Sequence, residues 1–133
     1  MLYLRVFAVW MVIIVMETIH GVQRALLLTP IIGDLKARQI GVFIGSILIL
    51  VIAYSLIEWL DLKTVGSLLA VGFIWVVLTV LFEIVLGTAI LGFDWNRIAS
   101  DYDIRQGGLM LFGLIFLLLT PLIAKQLRNT TSN

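Results

Sequence analysis

The sequence predicts an all-α membrane protein, a bundle of four transmembrane helices formed by two tandem helical hairpins. Three observations lead to this prediction. First, the chain is 62% hydrophobic and 13% charged, with a mean hydropathy of +1.15, whereas soluble domains are about 45–50% apolar and about 25% charged. Second, four apolar segments are each long enough to cross a bilayer. Third, one polar motif occurs twice, before the second segment and before the fourth.

The four apolar segments are residues 2–22, 40–60, 67–86 and 107–124, with an extension of the third to residue 91 left open. About 20 helical residues cross roughly 30 Å of hydrocarbon. Each segment must be helical, because a strand in lipid would leave its backbone N–H and C=O groups unpaired. The connections 23–37 and 92–104 are then expected at one membrane face, and the turn 61–66 and both chain ends at the other.

The duplicated motif D-x-x-x-R-Q-x-G belongs to a longer series of identities. The residues of the first half are Phe7, Glu17, Gly21, Asp34, Arg38, Gln39 and Gly41, and those of the second are Phe73, Glu83, Gly87, Asp101, Arg105, Gln106 and Gly108. The first three pairs are offset by 66 positions and the last four by 67. This order predicts two hairpin repeats, residues 1–66 and 67–133, in one compact membrane domain. Since each repeat holds two spans, the repeats are parallel and related by an axis along the bilayer normal.

The ionisable residues of the spans are predicted to face the bundle interior. The residues Phe7, Trp10, Ile14, Glu17, Gly21 and Arg24 follow a 3-4-3-4-3 spacing that places them along one seam of a helix. A charge held against lipid costs about 2.5–3.5 kcal/mol at the bilayer centre. We therefore expect Glu17 to pair with Arg38 or Arg24. By the same logic Glu83 is expected to pair with Arg105.

The candidate ligand or ion-pair cluster consists of Glu17, His20, Arg24, Arg38, Gln39, Glu83, Arg105 and Gln106. One interpretation is structural: Asp34 and Asp101 cap the second and fourth spans, and each pairs with the arginine at i+4. The other is a polar cavity for an anion, a lipid headgroup or a proton. We favour the structural interpretation for the motif itself. However, the second half has Leu86 and Ile90 where the first has His20 and Arg24, a one-sided polarity that packing rarely needs.

Small residues predict close helix packing at Gly21, Gly41, Gly45, Gly87 and Gly108. Gly41 and Gly45 form a GxxxG pattern, which often lets two helix backbones approach each other in membranes.

Several kinds of chemistry lack support. The chain has no cysteine, one histidine and a net charge of +1, so neither a Cys-based metal site nor a nucleic-acid footprint is predicted. Glu17 and His20 form a single E-x-x-H element, which is short of ligands for a metal pair. No Ser–His–Asp arrangement or P-loop is present. We therefore assign no catalytic residue, metal or cofactor.

The stretches ETIHGVQRALLLTPIIGDLKARQIGVF and FDWNRIASDYDIRQGGL resemble a family of small bacterial four-helix inner-membrane proteins. The resemblance implies a multi-pass location in the bacterial inner membrane. It implies no activity, cofactor or site residue.

The location of basic residues gives the expected orientation. Four lie on the side of the chain ends, Arg5, Lys63, Lys125 and Arg128, and five on the opposite side, Arg24, Lys36, Arg38, Arg97 and Arg105. If Arg24, Arg38 and Arg105 point inward, the count becomes four against two, which favours cytoplasmic termini.

Three functions are compatible with the pattern. The first is a binding or accessory protein whose partners are the lipid bilayer and a second copy or a partner membrane subunit. The second is a minimal transporter or channel with Glu17 and Glu83 as coupling carboxylates. The third is a membrane-embedded enzyme with Glu17 and His20 as an acid–base pair. We expect the first, and not an enzyme.

Overall fold

The computed structural model describes residues 2–103 and 108–131, and for residues 100–102 and 131 it describes the backbone alone. All secondary structure in these ranges is helical. The elements in chain order are α1 (Leu2–Gln23), a π-helical turn (Arg24–Leu28), α2 (Thr29–Ile32), α3 (Asp34–Leu60), α4 (Val65–Val85), a second π-helical turn (Leu86–Ile90), α5 (Trp95–Tyr102) and α6 (Met110–Thr131).

The prediction of four long apolar helices is confirmed. Within the described residues, the helical stretches long and apolar enough to cross a membrane are Leu2–Ile32, Asp34–Leu60, Val65–Ile90 and Met110–Thr130. The third continues through its π-helical turn, so the extension beyond residue 86 is real.

The first connection is much shorter than the predicted segment 23–37. The first helix continues through a π-helical turn and α2, and α3 already begins at Asp34. Gly33 alone separates α2 from α3, with φ 90° and ψ 160°, a conformation that glycine adopts without a Cβ clash. Pro30 lies in the first turn of α2, where its missing N–H would have no helical partner in any case.

The turn between α3 and α4 is defined by local capping. Asp61 ends α3 in the left-handed conformation, with φ 53°. Thr64 and Ser67 form a capping box, in which the Ser67 N–H donates to Thr64 Oγ1 at 3.1 Å and the Thr64 N–H to Ser67 Oγ at 3.3 Å. These bonds satisfy helix-end donors that the start of α4 would otherwise leave free.

The long helices pack in the order α1, α3, α6, α4. The α3 helix contacts both α1 and α6, and α4 packs along α6, whereas the contact between α1 and α4 is much smaller. The apolar core lies toward the chain ends, with Trp75, Ile57, Leu60 and Leu117 almost fully buried.

Two buried indoles join α1 to α4 in this core. Trp10 Nε1 donates to Thr79 Oγ1 at 3.0 Å, and Trp75 Nε1 donates to the Val6 carbonyl at 3.1 Å. Each tryptophan thus buries its ring without leaving its N–H unpaired. The bundle is closed at this level.

Both chain ends lie at the same end of the bundle as the turn after α3, as the sequence predicts. Arg5, near the start of α1, donates from Nη1 to the Trp59 carbonyl at 3.0 Å. Lys125 of α6 pairs with Glu58 of α3, 3.3 Å from Nζ to Oε1. The cluster residues of α1, α3 and α4 therefore lie toward the other end.

The predicted interior seams are correct only in part. Trp10 and Ile14 are buried, but Phe7 is 45% exposed and its counterpart Phe73 is 62% exposed. A 3.5-residue repeat drifts by about 20° per heptad around a straight helix of 3.6 residues per turn. Phe7 and Phe73 are the first residues of their seams, far along the helix from Glu17 and Glu83. Over that distance the drift is large enough to turn the two phenylalanine side chains toward the outside of the bundle.

The glycine closest to a neighbouring backbone is one that the sequence analysis did not select. A Cβ at Gly72 of α4 would overlap the Leu118 carbonyl group of α6. In contrast, a Cβ at Gly21 would meet no atom of the described residues within 4 Å. At Gly87 a Cβ would lie 3.2 Å from Ile98 Cδ1 of α5, so a side chain rather than a backbone packs on this glycine. Gly108 is buried.

Candidate functional site

A polar cavity of about 540 Å³ occupies the bundle at the end away from the chain termini. All four long helices contribute to its wall. Its ionisable and amide-bearing lining residues are Glu17, His20, Arg24, Asp34, Arg38, Gln39, Glu83 and Arg97. Six of the eight predicted cluster residues therefore share one cavity. The remaining two, Arg105 and Gln106, lie outside the described residues.

Glu17 of α1 lies deep in this cavity. Its side chain is 27% exposed, and its Oε2 lies 4.0 Å from His20 Nδ1. Its Oε1 is buried and accepts no hydrogen bond from the described part of the chain. Since a buried carboxylate normally has several donors, Glu17 has acceptor capacity to spare.

Gly45 of α3 provides the space for this carboxylate. A Cβ at Gly45 would lie 2.7 Å from Glu17 Oε2 and 3.2 Å from Oε1, closer than atoms of this kind pack. The carboxylate therefore lies directly on the α3 backbone.

Arg24 uses the neighbouring glycine in the same way. A Cβ at Gly41 would lie 3.0 Å from Arg24 Cδ and 3.3 Å from Nη1. Arg24 begins the π-helical turn, an irregularity that is common at functional sites. No hydrogen bond or ion pair joins its guanidinium to another residue in the described ranges.

The predicted role of the Gly41–Gly45 pair is therefore corrected. The two glycines were expected to bring helix backbones together, but what fills the space above them is the side chains of Arg24 and Glu17. The GxxxG pattern correctly predicted that α3 is closely packed at these two glycines. It could not show whether the neighbouring group would be a backbone or a charged side chain.

Asp34 does not cap α3 as predicted. The capping position is Gly33, and no side-chain capping bond is present there. The Asp34 carboxylate instead lies 3.1 Å from Arg38 Nε, the predicted i+4 pair, and 3.4 Å from an Arg97 terminal nitrogen. As a first-turn residue Asp34 still lies favourably in the dipole of α3.

The predicted capping of the fourth long helix by Asp101 depends on a side chain outside the described residues. The Asp101 backbone belongs to α5, and α6 begins at Met110.

The predicted partners of the two glutamates can now be compared with the structure. Glu17 Oε2 lies 4.0 Å from His20 Nδ1 and is attracted by the charge of Arg24, but among the described residues neither Arg24 nor Arg38 forms a direct salt bridge with it. Arg38 is held one helical turn away by Asp34 on its own helix. Glu83 lines the cavity, and its expected partner Arg105 lies outside the described part of the chain.

Arg97 is a cavity residue that the sequence analysis placed only in a connection. It lies in α5, its guanidinium is 4.8 Å from the centre of the Phe93 ring, and it joins this helix to α3 through Asp34. The start of α5 has a local signal, because Asp94 Oδ1 accepts the Arg97 N–H at 2.8 Å as an N-terminal cap. That signal reveals the helix but not the distant partner of Arg97.

The cavity thus contains three described carboxylates, Glu17, Asp34 and Glu83, and three guanidinium groups, Arg24, Arg38 and Arg97. Within the described residues no group of three metal-ligating side chains lies together. The rest of the wall is mainly apolar, with Ile13, Val42, Ile49, Phe82, Leu86 and Leu114 among its residues. A mainly apolar wall with convergent polar groups is typical of a small-molecule binding site.

Comparisons of the chain with protein-family models, curated proteins and solved structures give no match.

Proposed function

We propose that this protein is a multi-pass membrane protein that binds an amphiphile from the bilayer, with the polar group of the ligand inside the cavity. The observation that carries the proposal is that Glu17 Oε1 is buried and accepts no hydrogen bond from the described residues, while the Arg24 guanidinium, which attracts Glu17 without bonding to it, lines the same cavity. A charged group kept unpaired in such a place costs free energy. A bound polar ligand would offset this free-energy cost by hydrogen-bonding to the charged group.

The surface of the bundle supports insertion in a membrane. Apolar side chains on the outer faces of the helices are largely exposed, among them Phe43, Ile47, Val51, Phe73, Val77 and Leu81. In water such continuous apolar surface would favour aggregation, but in a bilayer it faces lipid.

The basic residues support cytoplasmic termini. Arg24, Arg38 and Arg97 line the cavity, so they do not count toward the charge of the loops on that side. The proposed location is the bacterial inner membrane, as the family resemblance implies. The positive-inside rule gives the proposed orientation of the protein in that membrane.

The internal duplication also belongs to the proposal. Residues 1–66 and 67–133 would be two parallel hairpins around a pseudo-twofold axis. In support, a π-helical turn follows the long first helix of each half, at Arg24–Leu28 and at Leu86–Ile90, four residues earlier in the second half than the offset of 66 would place it. The pairs α1 with α3 and α4 with α6 also pack to a similar extent.

The closed core favours binding over a channel. Trp10, Trp75 and Ile57 fill the bundle below the cavity, so the cavity has a floor. A transporter is the second candidate, favoured by one observation: Glu17 and Glu83, the expected coupling carboxylates, line the same cavity. For that role, replacing either glutamate by glutamine would stop flux while the fold persisted.

Native mass spectrometry of the protein released from detergent micelles tests the binding proposal. We expect a lipid adduct on the wild type. Gly45→Leu places a side chain where the Glu17 carboxylate lies, and should remove the adduct. Gly66→Leu is the matched control, because a Cβ at Gly66 meets nothing within 4 Å. Equal lipid retention by both variants would contradict the proposal.

A further inference from the structure

We infer that the ligand is an anionic amphiphile with a hydrogen-bond donor, a hydroxyl or an amine, on the acyl-chain side of its anionic group. The inference rests on the proposed function and specifies the chemistry of the ligand. It follows from the order in which the unpaired groups are placed along the cavity.

The first step concerns the charges that the protein already satisfies. Asp34 binds both Arg38 and Arg97, at 3.1 Å and 3.4 Å. These three residues form an ion-pair network near the start of α3, in which one carboxylate holds two guanidinium groups. Arg24 and Glu17 attract each other across the cavity, but no salt bridge or hydrogen bond joins them in the described part of the chain, and Glu17 Oε1 has no donor. They are therefore the groups that a ligand would engage.

The second step concerns their separation. Arg24 lies over Gly41 and Glu17 over Gly45, positions one helical turn apart, or about 6 Å along the axis of α3. A guanidinium recognises a phosphate or carboxylate, and a carboxylate accepts from a hydroxyl or an ammonium. The two ligand groups must therefore be near neighbours in one molecule.

The third step gives their order. Arg24 follows Glu17 along α1 and is nearer to α2, at the outer end of the cavity, whereas Glu17 is nearer to the core. The anionic group is therefore the outer one and the donor the inner one. In an amphiphile inserted from the membrane, the inner side is the side of the acyl chain.

The fourth step concerns the acyl chain. On the core side of Glu17 the cavity reaches the space between α1 and α4, where Ile14 and Phe82 line it. Since α1 and α4 contact each other least among the neighbouring helices, this space is the natural exit for an apolar chain.

Three synthetic probes of equal chain length test the inference: hexadecyl phosphate and its analogues with a hydroxyl or an amine on the second carbon. Affinities are measured by native mass spectrometry titration in detergent. We expect the wild type to bind at least one substituted probe about tenfold or more tightly than hexadecyl phosphate, since a hydrogen bond to a buried charge is being gained. This comparison requires no variant to fold.

The variants assign each group to its residue. Glu17→Ala should abolish the preference between the probes, and Arg24→Gln should weaken all three by about tenfold or more. Lys125→Gln, at the opposite end of the bundle, should leave all affinities unchanged. If hexadecyl phosphate binds as tightly as both analogues, the inference is overturned while the proposed function stands.

Two further outcomes concern the proposed function itself. If no probe binds, or if Gly45→Leu binds all probes as well as the wild type, the proposed cavity site is wrong. Free glycerol 3-phosphate carries the same polar groups without a chain. If glycerol 3-phosphate binds as tightly as the substituted lipids, the ligand is a water-soluble molecule and the proposal of an amphiphile is wrong.

Discussion

The carboxylate of Glu17 on α1 lies against Gly45 on α3, in a space that a Cβ at Gly45 would enter at 2.7 Å from Glu17 Oε2. This contact explains why a buried acidic side chain and a buried glycine occur together. It also makes their effects on stability interdependent.

The first prediction tests that interdependence. Gly45→Ala should lower the melting temperature in detergent, with a cost of about 1–3 kcal/mol for forcing an atom into a filled site. In a Glu17→Ala background the same change should cost much less, because the space is vacant. Gly21→Ala is the control, since a Cβ there meets nothing within 4 Å. Equal costs in the two backgrounds would exclude the contact.

The second prediction concerns Gly72, which lies against the Leu118 carbonyl group. Gly72→Ala should destabilise the protein more than Gly45→Ala, because a backbone cannot move aside as a side chain can. Gly113→Ala should have little effect, since a Cβ there would lie at an ordinary 3.4 Å from Val42 Cγ1. Thermal melting of the three variants in the same detergent gives the order of their stabilities. A melting temperature of Gly72→Ala above that of Gly45→Ala would contradict the close approach of α4 and α6.

The third prediction concerns the Trp10–Thr79 hydrogen bond. Thr79→Val keeps the shape of the side chain but removes the acceptor of the buried indole N–H, which should cost about 1–3 kcal/mol. Thr120→Val is matched, because Thr120 is also buried but bonds only to the Phe116 carbonyl of its own helix, at 2.6 Å. Unfolding free energies should therefore fall further for Thr79→Val. Equal values would mean that the indole bond contributes nothing specific.

The fourth prediction concerns the unpaired carboxylate in the lipid-free protein. Glu17→Gln should leave the melting temperature unchanged or raise it, because it removes a charge whose Oε1 has no donor among the described residues. The same substitution should reduce stabilisation by added lipid, as expected where function costs stability. Glu58→Gln is the control, since Glu58 is half exposed and paired with Lys125, and should change stability by about 1 kcal/mol or less. A large loss of stability for Glu17→Gln alone would show a structural carboxylate.

The fifth prediction concerns the attachment of α5 through Arg97 and Asp34. Asp34→Asn should increase hydrogen exchange of the α5 amides, because it weakens the ion pair that joins this helix to α3. Lys36→Gln, on the same helix but outside the cavity lining, should leave the exchange of α5 unchanged. Unaltered protection of α5 in Asp34→Asn would show that Ile98 and Gly87 hold the helix by packing alone.

Much of the fold follows from local properties of the chain. Apolar run length predicts four long helices, and the even number of spans predicts that both chain ends lie together. Capping residues such as Thr64 and Ser67 act within a single turn. Distance along a helix is a simple function of residue number, so Glu17, Arg38 and Glu83 fall toward the same end of the bundle.

The partners of those residues could not be obtained in the same way. The pairing of Arg97 with Asp34, the fit of Glu17 on Gly45 and the approach of Gly72 to Leu118 each join residues far apart in the chain. They depend on how far each helix is rotated about its axis, and a π-helical turn or a drift of a few tens of degrees changes that rotation. Helix length and position along the axis are encoded locally, whereas the facing of one side chain toward another is a property of the packed bundle.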